Sequence, residues 1–383
     1  MNLSLSSLYF PGGVNSPVRS FKTLKEEPFF TTRAEKSYLY SHEKKFLDFC
    51  LCFGVIISEH KDPDVMAAAK EALEEGWIYG TCESYSYELA KYILTYIPFL
   101  EKIRFMNSGT EAVMTALRIA RASSKKDSIV KFKQCYHGHT DSMLVEASSA
   151  LQGSSAGITH SSTIVLDKYD LDLIEKTFQQ YSPAALIIEP LPANNGLTLL
   201  SHDFLENLLQ LCLKYHVISI FDEVISGFRC SFGGISSQLS LQPDLITYGK
   251  ILGGGFPIGA VAGKKKLLDL LAPEGNVYQA GTFSANPFVM KTGLSLLKKL
   301  TPQVYSQLRN STKEYVQIFQ EKFQQNIISQ DSLFWIECSS EKFQEIFTYC
   351  FKRGIYLSPH VAEVNFISLA HKEALKDFKT LLL

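Results

Sequence analysis

The stretch PDLITYGKILGGGFPIG, residues 243 to 259, is the most informative part of the chain. An apolar run from Leu245 to Tyr248 resembles a strand, and Lys250 stands between this run and a glycine-rich turn. Such a lysine can be presented inside a cleft, where burial disfavours the charged form of an amine and leaves a nucleophile for Schiff-base chemistry. A surface lysine beside a flexible loop gives the same local pattern, so the interpretation needs support from other segments.

The neighbouring segments alternate between apolar runs and stretches of helical period. Apolar runs that resemble buried strands lie at residues 103–105, 129–132, 185–188 and 217–221. Near-continuous apolar strands separated by helices are typical of an open, largely parallel sheet with helices on its faces. We therefore predict an α/β fold, in which ligands bind beyond the carboxyl ends of the strands.

The same patterns predict three regions. Residues 1–60 form an N-terminal arm with a small sheet, residues 61–290 form the large α/β domain, and residues 291–383 form a smaller α+β domain. Within the large domain, a helix is predicted from Asp62 to Gly76, because Pro63 suits a first turn and a glycine commonly ends a helix.

A second motif, at the start of a helix, suits a phosphate group. Ser108, Gly109 and Thr110 follow a strand and open a helix predicted to run to about Ala122. Hydroxyl and backbone N–H groups at a helix N-terminus bind a phosphate dianion well. Taken alone, an ordinary serine N-cap is the more common explanation. The motif is neither a Walker loop nor GxGxxG, which argues against a nucleotide.

A third motif places a carboxylate at the end of the most apolar strand. Asp222 follows the run from Val217 to Phe221. An aspartate in this position usually caps a helix or stabilises a turn, but beside a protonated pyridine nitrogen it would strengthen an electron sink. The order of phosphate site, Asp222 and Lys250 in one sheet supplies three anchors for a coenzyme of the pyridoxal 5'-phosphate type.

The segment Tyr136-His137-Gly138-His139 also follows a strand. His137 and His139 are alternate residues with no third ligand nearby in the sequence, so no metal site is predicted. Two interpretations stay open for this segment: an aromatic or imidazole face stacked on the coenzyme ring, and a packed turn.

Composition excludes several classes of function. Among 383 residues, 38 basic and 39 acidic side chains leave a net charge of -1, which does not favour a nucleic-acid partner. No apolar run approaches the roughly 20 residues of a membrane helix, and the first ten residues do not resemble a secretion signal. The eight cysteines are scattered without metal-ligand spacing. We therefore expect reduced thiols and a cytoplasmic protein.

Several of these motifs together resemble one family. From about Pro11 to His371 the chain is similar to the glutamate-1-semialdehyde 2,1-aminomutases, within the fold-type I, class III pyridoxal-phosphate aminotransferases. The most diagnostic piece is PGGVNSPVR at residues 11–19, which is typical of the aminomutases rather than of the wider class. The other matching segments are residues 107–112, 131–141 (KFKQCYHGHTD), 222–229 (DEVISGFR), 243–263 and 278–287 (YQAGTFSANP).

The resemblance implies a role for each matching residue. Lys250 would carry the coenzyme and move protons between coenzyme and substrate. The remaining coenzyme contacts would come from Ser108, Gly109 and Thr110 on the phosphate, Tyr136 and His137 flanking the ring, Asn194 lining the site, Asp222 on the ring nitrogen, Val224 against the ring, and Gly281 and Thr282 of a second subunit on the phosphate. The substrate would be gripped at its carboxylate by Ser16 and Arg19 and lined by Phe53, Glu189, Tyr278 and Glu363.

The implied reaction is an internal amino shift in a homodimer. (S)-4-amino-5-oxopentanoate becomes 5-aminolevulinate, a tetrapyrrole precursor, while the coenzyme cycles between pyridoxal and pyridoxamine 5'-phosphate. Two alternatives remain: a two-substrate ω-aminotransferase that shares every coenzyme residue, and a catalytically weakened descendant that keeps the fold. The run from Gly12 to Arg19 and Glu363 favour the aminomutase over the first. The presence of Lys250 and Asp222 argues against the second.

The chain also departs from the family pattern. Phe53 stands where the family usually has tryptophan, and Ala193 and Ala285 stand where glycine is usual. The segment from Ser148 to His160, which matches a mobile lid, is shortened. A lid excludes water and retains reactive intermediates, so its shortening bears on efficiency more than on the chemistry.

Overall fold

A computed structural model describes residues 3–42, 44–147, 155–159 and 162–382. The chain divides into two compact units. The terminal unit combines Met1–Pro63 with Pro302–Leu383, and the central unit is Asp64–Thr301. The ends of the chain thus belong to one unit, whereas the sequence patterns presented residues 1–60 and 291–383 as separate regions.

The elements are numbered in chain order. The strands are β1 Arg33–Glu35, β2 Tyr38–Tyr40, β3 Lys45–Asp48, β4 Lys102–Met106, β5 Ile129–Phe132, β6 Thr163–Leu166, β7 Ala185–Ile188, β8 Ile218–Asp222, β9 Leu245–Gly249, β10 Gly259–Gly263, β11 Asn326–Gln330, β12 Leu333–Glu337, β13 Ile355–Tyr356 and β14 Asn365–Phe366. The helices are α1 Leu3–Ser6, α2 Leu51–Gly54, α3 Pro63–Glu75, α4 Ser84–Tyr96, α5 Gly109–Ser124, α6 Leu171–Tyr181, α7 His202–Lys214, α8 Ile235–Gln238, α9 Lys265–Leu268, α10 Pro287–Lys299, α11 Pro302–Phe323, α12 Ser340–Lys352 and α13 His371–Leu382.

A seven-stranded sheet forms the middle of the central unit. Its order is β4-β10-β9-β8-β7-β5-β6. The pairs from β9 to β6 are parallel, and only β10 runs antiparallel to both of its neighbours, β4 and β9. The prediction of an α/β fold with a mainly parallel sheet is confirmed. The strands β5, β7 and β9 are buried along their whole length, as expected for a sheet covered on both faces.

The register of the strands brings three chain segments together at the carboxyl ends of the strands in this sheet. Gly259, the first residue of β10, pairs with Met106 at the end of β4 and with Gly249 at the end of β9. Asp222, the last residue of β8, pairs with Thr247 of β9. The residues that follow β4, β8 and β9 therefore emerge side by side at the carboxyl ends of these strands.

Helix α5 packs one apolar face on this sheet. Its buried side chains recur at helical spacing, and the cluster around them includes residues of β4, β7, β8 and β9. Burying such side chains stabilises the unit by roughly 1.5–3 kcal/mol for each large aliphatic group. The N-terminus of α5 is thereby fixed at the carboxyl edge of the sheet.

The terminal unit contains two small sheets around an aromatic core. One sheet has the order β1-β2-β3-β13, in which β13 pairs parallel with β3, and the other has the order β11-β12-β14. Phe49 lies at the centre of the core, with its ring 5.4 to 5.9 Å from the rings of Tyr315, Phe319, Phe334 and Phe378.

Most elements predicted from apolar patterns exist close to their predicted bounds. The helix expected from Asp62 to Gly76 is α3, and the helix expected to end near Ala122 is α5, which ends at Ser124. Most of the lid predicted from Ser148 to His160 lies outside the described residues, which here include only 155–159. Within the described part of the chain, every helix is too short or too polar to cross a lipid bilayer.

Candidate active site

Lys250 is the first residue after β9, where the backbone turns sharply into a short 3-10 turn that ends at Gly253. Its φ is +47°, a left-handed conformation that is unfavourable for a residue with a side chain. Strained backbone of this kind concentrates at functional sites, where the surrounding structure holds it in place. The positive charge of Lys250 lowers the pKa of Glu189 slightly against the larger effect of burial, which indicates that the two side chains are near each other.

The predicted phosphate turn forms the start of α5. Ser108 is the N-cap, and its hydroxyl accepts a hydrogen bond from the N–H of Glu111 at 3.2 Å. The Glu111 carboxylate in turn accepts from the N–H of Asn107 at 2.6 Å. This reciprocal capping fixes the turn, while the N–H groups of Gly109 and Thr110 belong to the first helical turn, whose donors have no partner within the helix.

Two glycines bring the phosphate turn and the lysine turn together. A Cβ atom on Gly109 would lie 3.1 Å from both methyl carbons of Val224, and one on Gly249 would lie 3.3 Å from one of them. That Cβ on Gly249 would also lie 3.8 Å from the Cα of Gly109. Neither position has room for a side chain, so the bare backbone of both glycines packs directly against Val224, and the phosphate turn lies next to the lysine turn.

Asp222 is buried and receives hydrogen bonds on both carboxylate oxygens. Oδ2 lies 2.7 Å from Nδ1 of His137. Oδ1 accepts from the hydroxyl of Thr247 at 2.9 Å and from the N–H of Val224 at 3.1 Å. These contacts fix the orientation of the carboxylate at the end of β8.

His137 and Tyr136 occupy the loop after β5. Burial lowers the pKa of His137, so its ring is neutral at pH 7 and donates from Nδ1 to Asp222. Its Nε2 is then an unprotonated acceptor, and it has no hydrogen-bond partner among the described residues. Tyr136 is 42% exposed, which leaves an aromatic surface available to a ligand.

Glu189 is a second buried acid, at the end of β7. Burial, reinforced by the negative charge of Asp222, raises its pKa to about 8, so the group is protonated at pH 7. Its Oε2 accepts hydrogen bonds from Nδ2 of Asn194 at 2.9 Å and from the N–H of Ala193 at 3.3 Å. Within the described chain its Oε1 is buried without a partner. Glu189 and Asn194 thus lie with the predicted coenzyme residues.

The loop from Tyr278 to Thr282 lies at the surface of the central unit. Arg118 donates to the carbonyl of Tyr278 at 2.6 Å, which fixes the start of the loop. A Cβ on Gly281 would lie 3.3 Å from Nδ2 of Asn107, so the loop passes beside the phosphate turn of its own chain. Gly281 and Thr282 are exposed.

The four remaining predicted residues belong to the terminal unit. Ser16 precedes a 3-10 turn, Pro17–Ser20, and its carbonyl accepts from the N–H of Arg19 at 3.1 Å. Arg19 itself is exposed, so its guanidinium is available to a carboxylate. Glu363 is half-buried on the turn between β13 and β14, and its N–H donates to the carbonyl of His360 at 3.0 Å.

Phe53 lies in a strained turn. Leu51, Cys52 and Phe53 have φ values of +46°, +55° and +57°. The buried carboxylate of Asp48 stabilises the start of this turn, since one of its oxygens accepts hydrogen bonds from the N–H groups of Cys50 and Leu51, each 3.0 Å long. A run of three left-handed residues with side chains is costly, and here it determines where the ring of Phe53 lies.

The two alanines that replace glycines in the family pattern differ in backbone conformation. Ala285 has a φ of +54°, a conformation that favours glycine, whereas Ala193 does not adopt a positive φ. Replacement of glycine therefore introduces strain at Ala285 and none at Ala193.

Sequence patterns missed two residues of the site. Thr247 lies inside an apolar strand, and its hydroxyl donates the hydrogen bond that orients the carboxylate of Asp222. Lys131 is the one charged residue in the apolar run of β5, and this break in the pattern was the available signal. The described chain contains no cluster of three or more metal-ligating side chains.

The family model described as aminotransferase class-III matches residues 22–359. The chain is 46% identical to the glutamate-1-semialdehyde 2,1-aminomutase of Leptospira interrogans, over 95% of this chain and 89% of that protein. It is 43% identical to the protein of the same name from Bdellovibrio bacteriovorus, over 96% and 93%. Among solved structures, an omega-transaminase from Sphaerobacter thermophilus superposes with a TM-score of 0.89 at 28% identity, covering 99% and 95% of the two chains.

Proposed function

The chain belongs to the glutamate-1-semialdehyde 2,1-aminomutase family of class-III aminotransferases, and from this premise we propose that it converts (S)-4-amino-5-oxopentanoate into 5-aminolevulinate. The enzyme is an isomerase that moves an amino group between adjacent carbons of one molecule and supplies tetrapyrrole biosynthesis. The observation that carries the proposal is the convergence of Lys250, Asp222 and the start of α5 at one edge of the sheet.

The coenzyme is pyridoxal 5'-phosphate, which cycles with pyridoxamine 5'-phosphate. When bound, it supplies an exchangeable amino or carbonyl group and a ring that withdraws electrons from a substrate carbon. The residues of the site suit this coenzyme, because the buried Nε2 of His137 and Oε1 of Glu189 have no partner in the described chain and can bind polar groups of a ligand. Ser108, Gly109 and Thr110 would hold the phosphate through helix N–H groups and hydroxyls.

Asp222 would hold the ring nitrogen in its protonated form. Thr247 and Val224 orient one carboxylate oxygen, and His137 occupies the other. Glu189 is protonated at pH 7, because burial and the charge of Asp222 raise its pKa to about 8. A single negative charge therefore faces the ring, and Glu189 can donate a hydrogen bond from its second oxygen.

Lys250 would act as acid and base. Its amine would bind the coenzyme at rest and, once released, would move protons between the two substrate carbons and the coenzyme. The left-handed backbone at Lys250 fixes the direction in which its side chain leaves the turn, directly after Gly249, whose backbone packs on Val224. Proton transfer between two adjacent substrate carbons requires a base that is held in one place, and this turn holds the base in that way.

The substrate carboxylate would bind to Ser16 and Arg19. The guanidinium can donate two parallel hydrogen bonds to a carboxylate, which a lysine cannot do. Phe53, Tyr278 and Glu363 would line the rest of the substrate site. Since the substrate carries its own amino group, no external amino donor is needed.

We also propose a homodimer in the cytoplasm. Exposed aromatic side chains on the central unit support a contact with a second copy, because Trp77, Tyr278 and Phe283 are 59%, 72% and 61% exposed. Gly281 and Thr282 would then reach the phosphate of the neighbouring subunit. None of the eight cysteines, all of which are described, forms a disulfide, which supports a reducing compartment. Light scattering should give twice the chain mass, and a fully active monomer would contradict the dimer.

The decisive assay supplies the semialdehyde as the sole substrate. Purified enzyme loaded with coenzyme should produce 5-aminolevulinate without any added amino acid, and Lys250→Ala should produce none above background. Product that forms only after an amino donor is added would favour the two-substrate aminotransferase instead. No product under either condition, from protein that binds the coenzyme, would exclude both reactions.

A further inference from the structure

Lys131 is a lysine in the interior of the central unit. It lies in β5 between Val130 and Phe132, and its side chain is fully buried. Its ammonium donates three hydrogen bonds, each 3.0 Å long, to the backbone carbonyls of Cys135, Met143 and Val145. A buried ammonium is costly unless each of its donors is satisfied, and here three carbonyls satisfy all three.

The three carbonyls lie at the two ends of a single loop, residues 135–145, which we call the ring loop. Cys135 begins the loop, and Met143 and Val145 end it. The ammonium therefore fastens the two ends of the loop to β5. Few other backbone contacts close the loop at its base, one being the hydrogen bond from the N–H of Gln134 to the carbonyl of Glu146 at 2.8 Å.

The ring loop contacts each of the coenzyme anchors except Lys250. His137 bonds to Asp222 at 2.7 Å. Nδ1 of His139 lies 3.2 Å from the hydroxyl of Thr110. A Cβ atom on Gly138 would lie within 2.8 Å of the Thr110 hydroxyl and Cα, so the loop backbone packs directly on the phosphate turn.

We propose that Lys131 is a positioning residue, whose ammonium holds the ring loop so that Tyr136, His137 and His139 meet the coenzyme in one fixed arrangement. The proposal rests on the proposed function only in that the ligand is pyridoxal 5'-phosphate. Lys131 does not touch the reacting atoms, since its amine is used by the three carbonyls. It acts through the loop.

The surroundings of Lys131 suit a charged group that is held in place. Burial lowers the pKa of its ammonium to about 8, and the nearby carboxylate of Glu146 favours the charged form. A charged donor forms stronger hydrogen bonds than a neutral one, in particular where water is excluded. Loss of the amine leaves three buried carbonyls without a donor, and the loop then has to open to water.

The test compares Lys131→Met with Lys133→Met. Methionine keeps most of the length and volume of lysine but donates no hydrogen bond. Lys133 is the matched control, because it lies two residues along the same chain and its half-exposed side chain forms a surface ion pair with Glu146 at 3.2 Å. Affinity for pyridoxal 5'-phosphate is measured by titration, and the visible circular dichroism of the bound coenzyme is measured at saturation. Thermal unfolding of each coenzyme-free variant reports whether it is folded.

Lys131→Met should bind the coenzyme about tenfold more weakly or worse, a change that corresponds to about 1.4 kcal/mol. Its visible circular dichroism at saturation should fall as well, since the ring is no longer held in one orientation by Tyr136 and His137. Lys131→Gln, which retains two donors, should lie between Lys131→Met and the wild type. Lys133→Met should match the wild type in both measurements.

Two results would overturn the proposal. One is a folded Lys131→Met that has wild-type affinity and wild-type circular dichroism at saturation. The other is failure of both Lys131→Met and Lys131→Gln to fold, which would make Lys131 a determinant of the whole unit rather than of the loop. Neither readout requires turnover, so absence of the aminomutase reaction would refute the proposed function and leave this test unaffected.

Discussion

Replacement of Asp222 by asparagine removes one charge from the centre of the site with almost no change in shape. The amide oxygen can keep the hydrogen bonds from Thr247 and Val224, which are 2.9 and 3.1 Å long. The amide nitrogen then faces Nδ1 of His137, where the carboxylate oxygen lies at 2.7 Å. Because that nitrogen is a donor, Nδ1 has to become an acceptor, and the imidazole proton has to move to Nε2.

The structure indicates the size of two effects of this substitution, one on stability and one on the reaction rate. Nε2 of His137 is buried without a partner in the described chain, so it changes only from an unsatisfied acceptor to an unsatisfied donor. The loss that remains is the charge-assisted hydrogen bond between Asp222 and His137, which costs about 1–2 kcal/mol of stability. Loss of the charge-assisted contact with the ring nitrogen removes about 1.5–3 kcal/mol from the stabilisation of the reaction, or roughly 10- to 100-fold in rate. The pKa of Glu189 should also fall, because the charge of Asp222 is one of the causes that raise it.

The assay measures production of 5-aminolevulinate per coenzyme-loaded site, and urea unfolding of the coenzyme-free protein measures stability. Asp244→Asn is the matched control, since Asp244 also accepts hydrogen bonds from its surroundings but lies just before β9, at the opposite end from Lys250. The control should lose stability and keep its turnover per folded site. If Asp222→Asn kept turnover within about threefold of the wild type, the role of Asp222 at the ring nitrogen would be refuted.

Three further predictions follow from strain, titration and charge. Ala285→Gly should raise the free energy of unfolding, measured in urea, by about 1 kcal/mol, because it relieves a φ of +54°. Ala193→Gly should instead lower the free energy of unfolding by about 0.5–1 kcal/mol. Equal effects of the two substitutions would contradict the strain argument. Glu189 keeps its proton in the folded state up to about pH 8 but loses it near pH 4.3 when unfolded. Coenzyme-free wild-type protein should therefore lose on the order of 5 kcal/mol of stability as the pH rises between those values, and Glu189→Gln should not show this loss. Arg19→Ala should raise KM for the semialdehyde about tenfold or more, with a smaller effect on kcat. The control Arg33→Ala removes an exposed partner of a surface ion pair and should leave KM and kcat unchanged.

The sheet and its carboxyl edge could be predicted because the signals are local. The apolar runs at 129–132 and 185–188 match β5 and β7 to the residue, and the polar residues that follow the strands mark the site. Asp222 and Lys250 were recognisable for this reason, since each directly follows an apolar strand. A parallel sheet brings such residues to one edge without any information on contacts between distant segments.

The remaining features depend on contacts that no local pattern encodes. The parallel pairing of β13 with β3 joins residues about 300 positions apart, and it places the two ends of the chain in one unit. The left-handed turn from Leu51 to Phe53 contains residue types that avoid this conformation, so propensity argues against it. The burial of Lys131 inside an apolar strand depends on three carbonyls from a loop that follows the strand, and no sequence pattern shows that these carbonyls turn back toward it.

Chemical trapping at Lys250 tests the account most directly. The enzyme is incubated with pyridoxal 5'-phosphate, reduced with borohydride and digested, and the modified peptide is identified by mass spectrometry. The account predicts one coenzyme adduct per chain, on Lys250, and no adduct at that peptide in Lys250→Ala. An unmodified Lys250 in coenzyme-saturated protein, or a stoichiometric adduct on another lysine such as Lys131, would contradict it.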